Sequence, residues 1–287
     1  MPTRPSRLYL PKFDLAPPTI FDYLLARFPQ VNEKIWRERI SDGLVKLSDG
    51  TPLKENSPYR HGITVFYRRA VPFEPPPSEE PLVIYSDDEI LVVDKPHGMP
   101  VTPVGNHVER SLLISLQRTT GLEDLNPVHR LDRETAGVLV FTINAGTRAA
   151  YHRLFAAGHV EREYSTVADV KGPLAQDRWR IENRIERGEP WFRQRIVPGK
   201  VNAITDIELV GLNSALGHFR LFPKTGKKHQ LRLHMASIEC PIHGDPFYPT
   251  IKTKIAGDPP MQLLAKRLAF IDPLTRASRE FVSERKL

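Results

Sequence analysis

Residues 127–137 read PVHRLDRETAG, and this stretch places its one aspartate, Asp132, between Arg130 and Arg133, with Gly137 a few residues further on. Opposite charges nearby favour the ionised form of a carboxylate. An ionised Asp132 with no metal ligand beside it has three open roles: a nucleophile, a base, or half of a structural ion pair. The residue types of this stretch alone leave all three open.

Runs rich in apolar and β-branched residues surround this stretch and predict a sheet. The predicted strands lie within residues 81–96 (a pair joined by a turn at 86–88), 137–144, 162–170, 203–211 and 218–226. A helix is predicted over residues 145–158. Because strands and helices interleave without a regular βαβ rhythm, the predicted fold class is α+β, with a mixed, largely antiparallel sheet.

A proline-rich stretch divides the chain. Residues 71–82, VPFEPPPSEEPL, contain five prolines, and proline favours extended, semi-rigid backbone. We therefore predict a linker at 76–82, a small N-terminal α/β domain at 1–75 and a larger domain at 83–287.

The N-terminal region combines apolar stripes with positive charge. Stripes at helical spacing predict two helices followed by short strands, and the stripe residues are Ile20, Leu24, Leu25 and Phe28, then Val31, Ile35, Trp36 and Ile40. Residues 1–70 hold 12 Lys and Arg against 7 Asp and Glu, a local charge of +5. This arrangement resembles the S-four-like RNA-binding domain. The resemblance implies RNA contacts by Arg37, Arg39 and Lys46; the alternative is a helical cap with a solvated charged face.

The composition of the whole chain is compatible with an RNA partner. Among 287 residues, 41 Lys and Arg exceed 34 Asp and Glu, giving a net charge of +7. This balance fits a polyanionic partner or an ordinary basic protein. The single cysteine, Cys240, excludes an internal disulfide and fits a reducing compartment. Without an apolar signal region or a run of transmembrane length, we expect a cytoplasmic protein with no membrane partner.

Two further segments carry candidate chemistry. Residues 209–238 contain no carboxylate but several cations, which predicts a surface for phosphate. Within it, the period of PKTGKKHQLRLH (223–234) fits either a strand or a helix. We favour a helix that opens after Gly226, with Lys228 and Arg232 on one face. Tyr164 lies in a predicted strand, where a tyrosine either packs in the core or stacks on a nucleobase.

These segments together resemble the RluA-type family of RNA pseudouridine synthases over roughly residues 82–272. The family signature HRLD-x-x-T-S-G is matched at 129–137 except that Ala136 replaces the serine, and its Lys/Arg-x-Tyr strand is matched at 162–164. Its T-G-R-x-H-Q-I-R-V-H stretch corresponds to 225–234, where Lys227 replaces the arginine, and its G-D-P-x-Y is matched at 244–248.

The resemblance implies an isomerase that needs neither a cofactor nor a metal. In it, Asp132 is the nucleophile or the initial base, Arg232 pairs with Asp132, and Tyr164 stacks on the target base and helps to remove its carbon 5 proton. Arg130 matches a position that fills the gap left by a flipped-out uridine. Further RNA contacts are expected from His129, Lys227, Lys228, His229 and Gln230.

The expected partner is ribosomal or transfer RNA, and the protein is expected to act as a monomer. Two alternatives remain: an RNA-binding protein of the same fold without activity, and a metal-dependent hydrolase that uses the histidines. The second is disfavoured because His229 and His234 are five residues apart, about 140° around a helix, which is poor for joint ligation.

Overall fold

The computed structural model describes residues 5–29, 31–67, 74, 79–104, 107–255 and 257–287. The chain divides into two compact units, residues 1–74 and 75–287. Residues 76–78 of the predicted linker lie outside the described residues. The linker therefore stays a prediction.

The N-terminal unit contains a small antiparallel sheet and two helices. Its elements are β1 (Ser6–Tyr9), α1 (Ile20–Arg27), α2 (Glu33–Ser41), β2 (Val45–Leu47) and β3 (Thr64–Tyr67). The sheet order is β1-β3-β2. Helix α1 begins with a capping box, in which Thr19 Oγ1 accepts from the Asp22 amide and Asp22 Oδ2 accepts from the Thr19 amide. Both predicted helices are confirmed.

Helix α2 buries part of its apolar stripe. Ile35 is 40% exposed, whereas Trp36 and Ile40 are buried. The helix turns these two side chains toward the core of the unit, and that rotation leaves Ile35 at the edge of the packed face.

The C-terminal unit carries most of the regular structure. Its strands are β4 (Leu82–Ser86), β5 (Ile90–Lys95), β6 (Asn126–Pro127), β7 (Ala136–Thr142), β8 (Val160–Asp169), β9 (Arg178–Arg187), β10 (Gln194–Val197), β11 (Ala203–Asn213), β12 (Leu216–Pro223), β13 (Leu263–Ile271) and β14 (Ser278–Val282). Its helices are α3 (Leu112–Thr120), α4 (Arg148–Ala156) and α5 (Gln230–Ser237).

One sheet of 11 strands organises this unit, in the order β10-β9-β11-β12-β8-β13-β7-β5-β4, with β14 beside β13 and β6 beside β7. The β13–β7 pair is parallel, and the other pairs are antiparallel. The predicted α+β class with a mixed, largely antiparallel sheet is confirmed. All of the predicted strands and the predicted helix α4 are present, while helix α3 and strands β6, β9, β10, β13 and β14 were not predicted.

Strand β7 is the centre of the unit because both of its faces are covered. Leu139 and Phe141 pack with Leu112 and Leu116 of α3. On the opposite face, its valines pack with Tyr151 of α4. A strand buried on both faces reads as a continuous apolar run, as β7 does. Its rigid N-terminal end follows directly on the loop that carries Asp132.

The glycine of the opening stretch is required by a close backbone approach. Gly137 has φ +111° and is paired with Ala265 of β13. A Cβ atom at this position would lie 2.2 Å from the carbonyl oxygen of Ala265. Only glycine lets β13 pair with the start of β7, and this contact fixes where the loop before β7 ends.

Candidate active site

Lys95 and His97 hold the backbone of the loop that carries Asp132. The Nζ of Lys95 donates to the carbonyl oxygens of Arg133 (3.1 Å), Pro96 (2.9 Å) and Met99 (2.8 Å). The Nδ1 of His97 lies 2.7 Å from the carbonyl oxygen of Glu134. Buried lysines are uncommon and are retained where their donors are satisfied. Lys95 therefore fixes the loop, a role that the sequence analysis did not assign to it.

Burial has an electrostatic consequence for Lys95. It lowers the pKa of Lys95 to about 7, although the charges of Glu134 and Asp132 act in the opposite direction. Three carbonyl acceptors match the three donors of an ammonium group. The protonated side chain therefore completes this set of hydrogen bonds.

Arg232 lies in the first part of α5 and links two aspartates. Its Nη1 lies 3.4 Å from Asp132 Oδ2. Its Nε and Nη2 donate to Asp245 Oδ2 (2.8 Å) and Oδ1 (2.6 Å). The Arg232 side chain is 2% exposed and that of Asp245 is 0% exposed. Such a bidentate pair fixes the guanidinium plane, so Arg232 presents one nitrogen to Asp132 in a set direction.

The charge state of Arg232 is secured by its partners. Burial lowers the pKa of Arg232, but the hydrogen bonds and charges of Asp245 and Asp132 outweigh this effect and raise it above its ordinary value. Asp245 also accepts from the backbone amides of Phe247 (2.7 Å) and Tyr248 (3.2 Å). Asp245 was not among the predicted site residues. Its signal was the G-D-P-x-Y match, which carried no assigned role.

The Asp132 carboxylate is partly open. Its side chain is 29% exposed, whereas Arg232 beside it is buried. The second neighbour is His229, whose Nε2 lies 3.8 Å from Asp132 Oδ2. One oxygen therefore faces the two nitrogen-bearing side chains, and the group as a whole remains accessible to a substrate.

His229 lies inside the site. It has left-handed backbone (φ +55°), and its Nδ1 lies 3.1 Å from the Tyr248 hydroxyl. Burial lowers the pKa of His229 to about 4, with Asp132 acting in the opposite direction. The imidazole is therefore neutral near pH 7, and it faces Asp132 rather than the outer surface.

Tyr164 is brought to the same place by β8. It is half-buried and pairs with Leu221 on one side and Ala265 on the other. Burial raises the pKa of Tyr164; Arg162 lowers it, and the charge of Asp132 raises it further. The hydroxyl is therefore protonated, and it makes no hydrogen bond to any residue that the structure describes.

The predicted start of the helix near Arg232 is wrong. Helix α5 begins at Gln230, not after Gly226. The Gln230 Oε1 atom accepts from Thr225 Oγ1 (2.8 Å) and from the Lys227 amide (3.0 Å), and these bonds hold residues 225–229 as a loop. Lys228 consequently precedes the helix and is exposed, whereas Arg232 is buried, so the two do not share a face.

Two residues predicted to contact RNA, Gln230 and His129, bond to other parts of the protein. The Gln230 Nε2 donates to the Ile204 carbonyl (3.0 Å) and to Thr205 Oγ1 (2.9 Å), which completes the bonding of its amide. The His129 ring stacks on Phe155 at 4.8 Å, and its Nε2 accepts from the backbone amide at position 140. Burial lowers the pKa of His129 to about 3. Both side chains support the packing of the site, and their contact with RNA stays a prediction.

The other predicted cations differ in how free they are. Arg130, Lys227 and Lys228 are exposed in the C-terminal unit. The carboxylate-free stretch is not one continuous cationic surface, however. Arg220 pairs with Glu163 across the sheet, and Arg232 is buried. Within residues 209–238, the exposed positive charge is concentrated in the loop before α5, at Lys227 and Lys228.

In the N-terminal unit, Lys46 is exposed on β2. Arg37 pairs with Glu33 and Glu55. The Arg39 guanidinium lies over the Trp36 ring. Carboxylates of the same unit thus partly compensate the charge of Arg37. Of the three cations, Lys46 is the one most accessible to a partner.

Within the described part of the chain, no group of three or more His, Cys, Asp or Glu side chains is arranged to hold a metal ion. Among the same residues, no helix has the length and apolar character needed to cross a membrane.

Solved structures share this fold. The structure titled Human RNA Pseudouridylate Synthase Domain Containing 1 superimposes with a TM-score of 0.59 and 23% identity, covering 74% of this chain and 86% of that one. Human RNA Pseudouridylate Synthase Domain Containing 4 gives a TM-score of 0.56 and 23% identity, covering 71% and 88%. The fold is therefore that of the RNA pseudouridylate synthases.

Sequence comparisons lead to the family. Residues 89–237 match the model of the RNA pseudouridylate synthase family. The dual-specificity RNA pseudouridine synthase RluA of Haemophilus influenzae is 33% identical over 222 residues, which cover 72% of this chain and 94% of that protein. Pseudouridylate synthase RPUSD2 of Homo sapiens is 29% identical over 77% of this chain, but this chain spans only 38% of its length. The protein belongs to the RNA pseudouridylate synthase family, a class of isomerases that act on RNA.

Proposed function

We propose that this protein converts uridine to pseudouridine in ribosomal or transfer RNA, with Asp132 as the group that starts the reaction. The observation that carries the proposal is the partly open Asp132 carboxylate, 3.4 Å from a buried arginine that is itself fixed by Asp245. A surface ion pair needs no such support. For a reacting carboxylate, a preorganised charge beside it stabilises the transition state.

The reaction is an isomerisation. The bond between uracil N1 and ribose C1′ breaks, the uracil turns within the site, and a bond from C5 to C1′ forms. The C5 proton is released and N1 gains one, so the composition of the RNA does not change. Asp132 either attacks C1′ or removes a proton from the ribose, and both routes use the same open carboxylate.

The neighbouring side chains divide the remaining tasks. Arg232 holds its positive charge beside the carboxylate throughout the reaction, because burial and Asp245 prevent it from moving. Tyr164 offers a protonated hydroxyl and an aromatic face to the base. Flipping a uridine out of its stack costs a few kcal/mol, and we propose that Arg130, which is exposed, fills the gap that remains.

The choice of RNA rests on the relatives. Among proteins similar to this chain are a mitochondrial tRNA pseudouridine(32) synthase from Saccharomyces cerevisiae and a ribosomal large subunit pseudouridine synthase D from Xanthomonas campestris. This chain spans 50% of the first and 82% of the second. We propose a target in one of these two RNA classes, recognised by a monomer in the cytoplasm. The buried, unpaired thiol of Cys240 supports a reducing compartment.

We further propose that the N-terminal unit is an S-four-like RNA-binding domain. Its two helices and small sheet, together with a local charge of +5 over residues 1–70, support this assignment. Deleting residues 1–74 should weaken RNA binding and reduce the slope of log affinity against log salt, by up to about 0.9 for each lost phosphate contact. An unchanged slope in a folded truncation would show that the unit does not contact phosphate.

The test of the reaction is direct. Pseudouridine mapping of total RNA from cells with and without the gene should reveal uridines that are modified only when the gene is present. The purified protein should release tritium from RNA that contains uridine labelled at carbon 5. If the protein binds RNA tightly but releases no tritium from total RNA of the deletion strain, the inactive RNA-binding alternative is correct.

A further inference from the structure

A line of aromatic rings runs from the surface to Arg232. Trp191, in the loop between β9 and β10, is 66% exposed. Its ring centroid lies 5.8 Å from that of Phe192, which lies 5.0 Å from that of Phe247. The Phe247 ring is 5.9 Å from the His229 ring, and the Arg232 guanidinium lies over it at 5.0 Å. Neither the proposed mechanism nor the family motifs use Trp191 or Phe192.

The loop that carries Trp191 is held in place by residues of the site. The backbone amide of Gln194 donates to the Tyr248 hydroxyl at 2.7 Å, and the same hydroxyl contacts His229. Arg193 Nη2 donates to the Pro249 carbonyl at 2.8 Å, and Lys228 Nζ donates to the Phe192 carbonyl at 3.2 Å. A loop fixed in this way loses little conformational freedom when a ligand binds to it.

The exposed ring of Trp191 offers a partner a large apolar area to remove from water. The surrounding charge is cationic: residues 188–197 hold two arginines and one glutamate, and the exposed Lys227 and Lys228 are nearby in the loop before α5. Aromatic rings among cations are the combination that binds single-stranded nucleic acid, through base stacking and phosphate contacts.

We propose that Trp191 and Phe192 form a stacking platform for an unpaired base of the RNA next to the nucleotide at Asp132. This site would take any base, because every nucleobase has a π face. The inference rests on the proposed function, since it places the neighbour of the reacting nucleotide. The platform would hold the strand open beside the flipped uridine and would contribute affinity rather than chemistry.

The test uses a probe that cannot react. A 12-nucleotide RNA of alternating cytidine and adenosine contains no uridine, so its binding is independent of whether Asp132 catalyses. Trp191→Ala should weaken binding of this single strand about tenfold, while Trp191→Phe should weaken it less than about threefold. Val210→Ala is the matched control, because Val210 is 63% exposed and lies on β11 outside the aromatic line. Its binding should equal that of the wild type.

A second arm separates stacking from phosphate contact. The same RNA, annealed to its complement, keeps its phosphates but no longer offers unstacked bases, so Trp191→Ala should change duplex binding less than about twofold. An equal loss on single strand and duplex would overturn the stacking assignment. So would no loss on the single strand, or no measurable binding of it by the wild type at low salt.

Fluorescence keeps the proposal testable if Trp191→Ala does not fold. Trp36 is buried and Trp179 is half-buried against Phe219, so RNA should quench mainly the emission of Trp191. The quench should be present in the wild type and absent in Trp191→Phe. An equal decrease in emission on adding RNA to both proteins would overturn the proposal. A decrease in emission that appears without RNA as the protein concentration rises would overturn it in favour of self-association.

Discussion

Asp245 orients Arg232 through two hydrogen bonds of 2.8 and 2.6 Å, and both side chains are shielded from water. The pair leaves Nη1 of Arg232 as the guanidinium nitrogen that faces Asp132. The position of the charge beside Asp132 is thus set by a second aspartate on a different segment. Asp245 is a positioning residue, since it acts on Asp132 through Arg232.

Asp245→Asn should impair both folding and activity. The amide keeps the shape of the carboxylate but cannot accept both Arg232 bonds, which leaves a buried guanidinium incompletely paired. Breaking a buried ion pair costs about 3–5 kcal/mol, so urea denaturation should show a loss of this size. Glu280→Gln is the control, because Glu280 pairs with Arg267 on the surface and should contribute little. Equal stability of the two variants would mean that the Arg232 pair is not what holds the site.

Tyr164→Phe should separate binding from chemistry. Phenylalanine keeps the aromatic face and the packing between β8 and its neighbours, so RNA affinity should stay within about threefold. Turnover should fall by about a hundredfold or more, as expected for loss of a group that transfers a proton. The measurement is a single-turnover rate at saturating RNA. An unchanged rate would restrict Tyr164 to stacking.

Gly137→Ala should prevent β13 from pairing with the start of β7. The added Cβ would meet the Ala265 carbonyl at 2.2 Å, and the backbone at φ +111° disfavours any side chain. We expect a loss of more than about 3 kcal/mol in the free energy of unfolding. Gly211→Ala is the matched control, because a Cβ there meets no atom within 4 Å. A Gly137 variant as stable as the Gly211 variant would contradict this account of the strand contact.

Three histidines with lowered pKa values should make the fold sensitive to mild acid. Burial lowers the pKa of His129 to about 3 and the pKa values of His229 and His234 to about 4. As the pH falls below 6.5, the unfolded chain takes up protons that the folded protein does not, so stability falls. Each such histidine contributes up to about 1.4 kcal/mol per pH unit.

Part of the dependence of the free energy of unfolding on pH can be assigned to a single residue, His234. Urea denaturation at pH 7, 6 and 5 should show a steep decline for the wild type, and His234→Gln should reduce the slope by about one proton. His234 is suited to this test because its ring contacts Thr205 and Asn183 rather than Asp132. The same slope in both proteins would mean that His234 takes up its proton while folded.

The sequence predicted those parts of the fold whose pattern is local. Strand β7 is a run of apolar residues, and its burial on both faces follows from that run. Strand β9, RWRIENRIER, was not predicted, although its charged and apolar residues alternate as in a half-buried strand, because it lacks the continuous apolar run of β7. Its pairing with β11 decides its conformation, and that pairing is a long-range contact. The start of α5 was wrong because the Gln230 side chain holds the preceding loop, which no helical period reveals.

The candidate site shows the same division. Asp132, Tyr164 and Arg232 were predicted from motifs, and the structure brings all three together. Asp245 and Lys95 were not assigned, because each acts on another residue or on backbone rather than on the substrate. His129 and Gln230 were predicted to contact RNA, and the structure shows that both side chains also bond within the protein, which a motif does not reveal.

The most direct test of the central claim is the single-turnover release of tritium from carbon-5-labelled uridine RNA by Asp132→Asn. The amide matches the carboxylate in size but has neither its charge nor its nucleophilicity. We predict a rate at least about a thousandfold below that of the wild type, with an unchanged melting temperature and with RNA affinity within about threefold. A rate within tenfold of the wild type, from a variant that binds RNA equally well, would contradict the assignment of Asp132.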